Sequence, residues 1–211
     1  MAPLSETAVR QALDAELASA DGDVLSYAAS CLADSDLVCR SVCDAGCGTG
    51  SLAIPLALSG ATVFASDISS SMVGEAARRF ESEKIAKGAS SAPTPTFYTS
   101  DLESVSGKFD TVTCLDVMIH YPQEKADAMV QHLASLAEKR LIISFAPKTL
   151  AYSILKRIGE LFPGPSKATR AYLHAESDVE AAARAVGWVV KRREMTATSF
   201  YFSRLLEFER A

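Results

Sequence analysis

Apolar positions along the chain switch repeatedly between helical and strand spacing, and the switches set out a series of alternating elements. Val9, Ala12, Leu13 and Leu17 form one stripe at helical spacing; Leu25, Ala28, Ala29 and Leu32 form another, with Asp23 as its N-cap. These predict two short helices ahead of the core. Strands are predicted over residues 40–44, 61–66, 96–100 and 109–115, with a helix over 52–58 whose Pro55 lies early enough for its missing N–H to cost little. Met72, Val73, Ala76, Ala77 and Phe80 stripe a helix that ends before the loop at 88–96. Pro122 opens a helix carrying Ala126, Met129, Val130, Leu133, Leu136 and Ala137, and the short apolar run 141–145 reads as a central strand of a parallel sheet. A helix over about 150–162 stops at Pro163, Gly164 and Pro165. Ser177 and Glu180 have capping-box spacing ahead of Val179, Ala182, Ala183 and Val186, with Gly187 as the C′ residue. Strands over 188–191 and 199–207, joined by a short turn, complete the series.

The alternation predicts an α/β domain with a doubly wound, mostly parallel seven-stranded sheet and an antiparallel last strand. Residues 1–35 read as a helical extension and 36–211 as the domain, with an insertion at about 147–176. Composition fits one globular core: 211 residues, 48% hydrophobic and 22% charged, which excludes a collagen, a coiled coil and a disordered chain. A formal charge of -5 without a basic run argues against a nucleic-acid partner. No apolar stretch is long enough for a membrane span. The first residues are acidic and lack an apolar core, so they read as neither secretory signal nor transit peptide, with an upstream transit segment left open. Cys39, Cys43 and Cys47 are each four apart, which invites a metal reading, but strand and loop placement gives them no common face and no C-x2-C pair accompanies them. With Cys31 and Cys114 they read as free buried or loop thiols, and no metal is expected.

The chemistry concentrates in Asp44-Ala-Gly-Cys-Gly-Thr-Gly50, between a predicted strand and a predicted helix. Gly46, Gly48 and Gly50 let the backbone turn tightly and let a ligand approach it, with Cys47 inside the turn. A dinucleotide site of the G-x-G-x-x-G type would need glycine where Ser51 stands, and its pyrophosphate would meet the Asp44 carboxylate. S-adenosyl-L-methionine carries a sulfonium and an ammonium, for which Asp44 is attractive. The strand-loop-helix resembles the acidic glycine loop of class I methyltransferases. Asp67 ends the second strand, where a carboxylate can accept both ribose hydroxyls of either cofactor. Ile68 and Met72 are placed to flank an adenine; Asp101 and Leu102 follow the third strand, where the class I resemblance implies contacts with the adenine amino group through the carboxylate and with the ring through the backbone. Asp101 also has a plainer reading as a turn residue. Asp116 follows the fourth strand, where the transferable methyl group should point.

Beyond it lie His120 and Tyr121. A lone histidine is often only a structural hydrogen-bonder, and here that reading stands beside a catalytic one. DAGCGTGSLAIPLA, DVMIHYP, LIISFAPKT and above all ILKRIGELFPGPSKATRAYLHAESDVE together resemble the magnesium-protoporphyrin IX methyltransferases of chlorophyll biosynthesis, over about residues 41–204. The first two motifs carry only a methyltransferase; the FPGPSKATRAYLH run discriminates.

The resemblance implies S-adenosyl-L-methionine as donor and a propionate of magnesium-protoporphyrin IX as acceptor, giving the monomethyl ester. It implies a part for His120, cooperation with the large porphyrin-binding subunit of magnesium chelatase, and a plastid location, peripheral to membranes (cytoplasmic in a photosynthetic bacterium). One departure stands out: relatives begin with an aromatic-rich arm, whereas residues 1–35 are rich in Ala and Ser, with Tyr27 their only aromatic. The insertion interleaves Lys148, Lys156, Arg157, Lys167 and Arg170 with Tyr152, Phe162 and Tyr172, which suits a flat ring with acidic arms. Solvated helix cations are the plain reading of Lys156 and Arg157; Arg170, Tyr172 and Tyr121 are the substrate-binding candidates. A propionate, with a pKa of about 4 to 5, arrives ionised, so His120 is better cast as an orienting donor than as an obligatory base. A methyltransferase for another small molecule, and a weakly active cofactor- or porphyrin-binding partner protein, are the alternatives.

Overall fold

The computed structural model describes residue 28 and residues 41–148, 172–197 and 202–211. Among these, seven strands form one sheet in the order β3-β2-β1-β4-β5-β7-β6. The strands are β1 (Ser41–Ala45), β2 (Thr62–Asp67), β3 (Thr96–Thr99), β4 (Phe109–Cys114), β5 (Ala137–Phe145), β6 (Trp188–Ala197) and β7 (Phe202–Arg210). Pairing is parallel from β3 through β5, and β7 runs antiparallel to both β5 and β6, as the sequence predicts.

The helices α1 (Ala53–Leu58), α2 (Ser70–Ala86), α3 (Gln123–Leu136) and α4 (Glu176–Arg184) divide between the two faces. α3 and α4 bury Met129, Leu133, Val179 and Ala183 with Val112, Leu141, Leu206 and Phe208. α1 and α2 bury Ile54, Leu56 and Phe80 against Val42, Val63, Ile142 and Leu205. Fully burying a side chain such as Leu133 contributes about 1.5–3 kcal/mol. Ala28 is helical and buried in the second cluster. The remaining residues of the two expected N-terminal helices, the helix expected over 150–162, the breaker after it, and Cys31 and Cys39 lie outside the described residues.

Five expectations need correction, the first being the last strand, since β7 runs three residues past Glu207 to Arg210. β5 begins at Ala137, directly after α3, rather than at Leu141. Its charged start lies at the rim, where Lys139 meets Asp110 at 2.5 Å. β6 runs on to Ala197 through a charged stretch that broke the apolar pattern, because Lys191 and Arg192 flank the buried Glu207 of β7. Arg140 reaches the same carboxylate at 3.2 Å, and a buried charge requires such partners. The capping box does not form: the N-cap is Ala175, the Ser177 hydroxyl donates to Asp178, and Glu180 pairs with Arg193. Val186 turns outward, beyond the helix end.

Candidate functional site

Every predicted strand-end acid lies at the carboxyl edge of the parallel strands, where open α/β sheets take ligands. Asp44, one residue inside the end of β1, is buried. The Thr113 hydroxyl lies 2.9 Å from its Oδ1, and the backbone of Ala53, first residue of α1, donates to it as well. Burial nevertheless pushes its carboxyl up to about 6, against these two bonds, with a further push from the nearby charge of Asp67.

The glycine loop follows. Gly46, Gly48 and Gly50 have φ of 88°, 53° and 82°, the left-handed region that side chains avoid. The Gly46 and Cys47 amides both donate to the Ser66 carbonyl at 2.8 Å, which folds the loop onto the end of β2. A Cβ on Gly46 would overlap Val117 Cγ2, so the loop and the chain after β4 are in direct contact there. A Cβ on Gly48 would meet nothing within 4 Å, so the loop is open at that point. Asp67 spans the next turn: its Oδ2 accepts the Gly48 amide and its Oδ1 the Ser69 amide, each at 2.9 Å. From α2, Arg79 donates to the carbonyl and hydroxyl of Thr49 at 3.0 and 2.9 Å.

Beside Asp67, Ile68 is 77% exposed and Met72 44% exposed, although Met72 belongs to the apolar stripe of its helix. Two uncovered apolar side chains next to a carboxylate and an open glycine fit a nucleoside carried on a ribose. Asp101 caps a short 3-10 turn, Leu102–Ser104, by accepting the Ser104 amide at 2.7 Å, which is its turn reading. The Leu102 side chain is buried, so any contact of this residue with a ring is left to its backbone. Asp116 is held in a left-handed conformation, φ 58°. Its amide donates to the Ser144 hydroxyl at 2.8 Å, and its Oδ1 accepts the hydroxyls of Ser144 and Ser203 at 2.9 and 2.8 Å.

The next turn, Met118–His120, carries the histidine, which is exposed, and leads to Tyr121, half-buried, whose hydroxyl pKa is raised chiefly by burial. The Tyr172 amide donates to the Ile119 carbonyl at 2.8 Å, so the chain leaving the insertion runs beside His120. The structure thus brings Tyr172, His120 and Tyr121 to one edge of the sheet. Arg170 lies outside the described residues. Cys43, Cys47 and Cys114 are buried free thiols; burial pushes Cys43 and Cys47 up to about 12 and raises Cys114 too. Among the described residues no group of three or more His, Cys, Asp or Glu is placed to hold a metal ion.

The sequence reading missed Thr113, Arg79, Ser144, Ser203 and His174. The hydroxyls sit inside apolar strands and meet partners far away in the chain. Ser144 alone carried a signal, as the polar residue in an otherwise apolar run.

Sheet order, glycine loop and strand-end acids define a class I methyltransferase, and residues 42–139 match the general methyltransferase domain family. Residues 114–210 match the family described as the magnesium-protoporphyrin IX methyltransferase C-terminus. The chain is 63% identical over 174 residues to the magnesium protoporphyrin IX methyltransferase, chloroplastic, of Arabidopsis thaliana, covering 82% of this chain and 54% of that protein. It therefore spans about half the length of that relative. It is 55% identical to the magnesium-protoporphyrin O-methyltransferase of Synechocystis, covering 88% of this chain and 79% of that one. A crystal structure of the Synechocystis magnesium protoporphyrin IX methyltransferase with bound SAH superposes with a TM-score of 0.76 at 53% identity, over 88% of this chain and 81% of that one. The chain belongs to the magnesium-protoporphyrin IX methyltransferase family.

Proposed function

We propose that this chain methylates a propionate carboxyl of magnesium-protoporphyrin IX, with S-adenosyl-L-methionine as donor, to give the monomethyl ester in chlorophyll biosynthesis. The observation that carries the reading is the match over residues 114–210, which takes in the His120 turn, Tyr172 and the last strands. The donor side fits its cofactor on the structure's own terms: a loop open at Gly48, the Asp67 carboxylate beneath it, and Ile68 and Met72 uncovered alongside.

S-adenosyl-L-methionine supplies an electrophilic methyl group on a sulfonium. Asp44 offers negative charge to its cationic end, Asp67 accepts ribose hydroxyls, Ile68 and Met72 flank the adenine, and Asp101 with the Leu102 backbone meets its edge. The propionate is already a nucleophile, so the protein's task is to place it in line with the methyl group. Positioning of this kind can lower a barrier by about 7–11 kcal/mol. Attack neutralises charge, so keeping water from the carboxylate also helps. His120 orients the carboxylate by donating a hydrogen bond, with Tyr121, Tyr172 and Arg170 on the porphyrin side. Asp116 fixes where that side begins, through its two serines.

The large porphyrin-binding subunit of magnesium chelatase is the partner this reading expects. The compartment it expects is the plastid, in keeping with the chloroplastic Arabidopsis relative. No helix among the described residues is long and apolar enough to cross a membrane, and the attachment proposed is peripheral. The test is transfer of a labelled methyl group from S-adenosyl-L-methionine to magnesium-protoporphyrin IX, with the monomethyl ester identified by chromatography. Turnover of a different carboxylic acid but not of the porphyrin would sink the substrate assignment.

A further inference from the structure

His174 is fully buried, and both of its ring nitrogens are engaged. Nε2 lies 2.9 Å from the Met118 carbonyl, which can only accept, so Nε2 carries a proton. With Nε2 protonated, the neutral ring accepts at Nδ1, so the Gln123 side-chain amide, 3.0 Å away, bonds it by turning its nitrogen toward the ring in exchange for the exposed contact with Asp127. The His174 backbone is tied to the chain after β5: its amide donates to the Ala146 carbonyl at 3.0 Å, and its carbonyl accepts from Lys148 at 2.8 Å. The ring stands edge-on to Phe145, centroids 6.4 Å apart. Met118 opens the turn that ends in His120, and its carbonyl also accepts the Tyr121 amide that closes that turn. One imidazole therefore joins the end of β5, the start of α3 and the turn that presents His120. Nothing in packing alone demands a polar ring here, since an apolar side chain would fill the space among Phe145 and its neighbours without needing partners.

We propose that His174 is a positioning residue for methyl transfer: its two ring bonds fix the Met118–His120 turn, and with it the reach of His120 toward the acceptor carboxylate. The inference rests on the methyltransferase reading above. It acts through His120 and assigns His174 no contact with either substrate.

His174→Phe keeps an aromatic ring beside Phe145 and removes both side-chain bonds. In the full chain it should lower kcat by about tenfold, the effect of a modest misplacement of a hydrogen-bond donor. The dissociation constant for S-adenosyl-L-methionine, read by calorimetry, should stay within about twofold, because the donor loop is untouched. In the His120→Gln background the same change should cost less than about twofold, since the turn no longer presents the group whose place matters. An unchanged kcat in the folded variant, or an equal loss in both backgrounds, overturns the proposal. Should His174→Phe not fold, Gln123→Met at the half-exposed start of α3 removes the Nδ1 partner, together with the exposed contact to Asp127, and leaves Nε2 bonded. A kcat loss seen only when His120 is present supports the proposal, and an unchanged kcat overturns it. A readout free of turnover separates this inference from the function. The chain has three histidines, so the ring resonances of His120 are assigned by their loss in His120→Gln. His174→Phe should shift them. Unshifted resonances overturn the positioning role, whereas a wild type that methylates no porphyrin counts against the function alone.

Discussion

Cofactor affinity should fall as the solution is acidified through the range where Asp44 gains a proton. The carboxyl of Asp44 is raised from 3.8 to about 6, mainly because it is buried. Between those values the folded protein binds a proton that the unfolded chain releases, so the stability of the free protein falls as pH rises through the window. The cost is complete above about 6 and amounts to about 3 kcal/mol for a shift of roughly two units. A buried carboxylate kept at such a cost invites a cation. If the cofactor's ammonium meets Asp44, its binding requires the ionised form. At about pH 5 only about a tenth of the carboxyl is ionised, so affinity should be about tenfold weaker than at about pH 7.5, or about 1.4 kcal/mol. Above about pH 7 the dependence should level off.

Isothermal titration across this range reads the slope, and repeating it in buffers of different ionisation enthalpy reads the proton released on binding. Asp44→Asn should flatten the profile and remove the proton release. The thermal shift given by the cofactor should grow with pH in the wild type, because bound cation relieves the buried charge. Asp110 does not confuse the test: bonds from Lys139 and Ser41 lower its carboxyl from 3.8 to about 2, so its stabilisation is lost as pH falls through that window, below the range titrated. An affinity independent of pH across the range, or the same slope in Asp44→Asn, would refute the assignment of Asp44 to the cation.

Asp67→Ala should weaken S-adenosyl-L-methionine binding, since removing a charge-assisted hydrogen bond to the ribose costs about 1.5–3 kcal/mol and the Gly48 and Ser69 amides lose their acceptor too; unchanged affinity by calorimetry would remove Asp67 from the site. Gly46→Ala forces a Cβ into Val117 at a φ of 88° and should destabilise by about 2–4 kcal/mol in denaturant unfolding, with part restored by adding Val117→Ala. His120→Gln should slow single turnover by about 10–100-fold if His120 orients the carboxylate. A loss above about a thousandfold, together with a vanished ascending limb in the pH profile, would make it a general base instead. If the protein attaches peripherally to plastid membranes as proposed, high-salt or carbonate washing should release it; resistance to both would mean that an anchor holds it there.

The glycine loop and the strand-end acids were readable because each leaves a residue-level mark. Left-handed loop positions demand glycine, and a carboxylate at the end of a parallel strand is conspicuous in an apolar run. The lengths of β5 and β6 were hidden for a different reason. Glu138 and Lys139, or Lys191 through Glu194, look like loop sequence, yet the strands continue because their charges reach solvent or pair with Asp110 and Glu207. The failed capping box shows the limit of local spacing: Glu180 had a stronger partner in Arg193, thirteen residues away and on another element. Ser203 meets Asp116 across 87 residues and His174 meets Met118 across 56, and no window along the chain contains either pair.

Those long-range ties bear on how specificity is built. The two family matches overlap at residues 114–139, beginning at the last residue of β4. Strand order reverses between β1 and β4, which is where doubly wound sheets bind ligands. On the β1 side lies the glycine loop shared by methyltransferases in general; on the β4 side begins the segment that distinguishes this family. They meet where Gly46 lies against Val117, so the turn after β4 rests directly on the glycine loop. The turn's other supports come from Ser144, Ser203 and His174, all within the family-specific match. A general donor site can then serve a new acceptor when the supports behind one turn change, with the loop itself left as it is. In this chain the substitutions that retune the acceptor should therefore lie behind Asp116 and Met118 as well as in residues that touch the porphyrin.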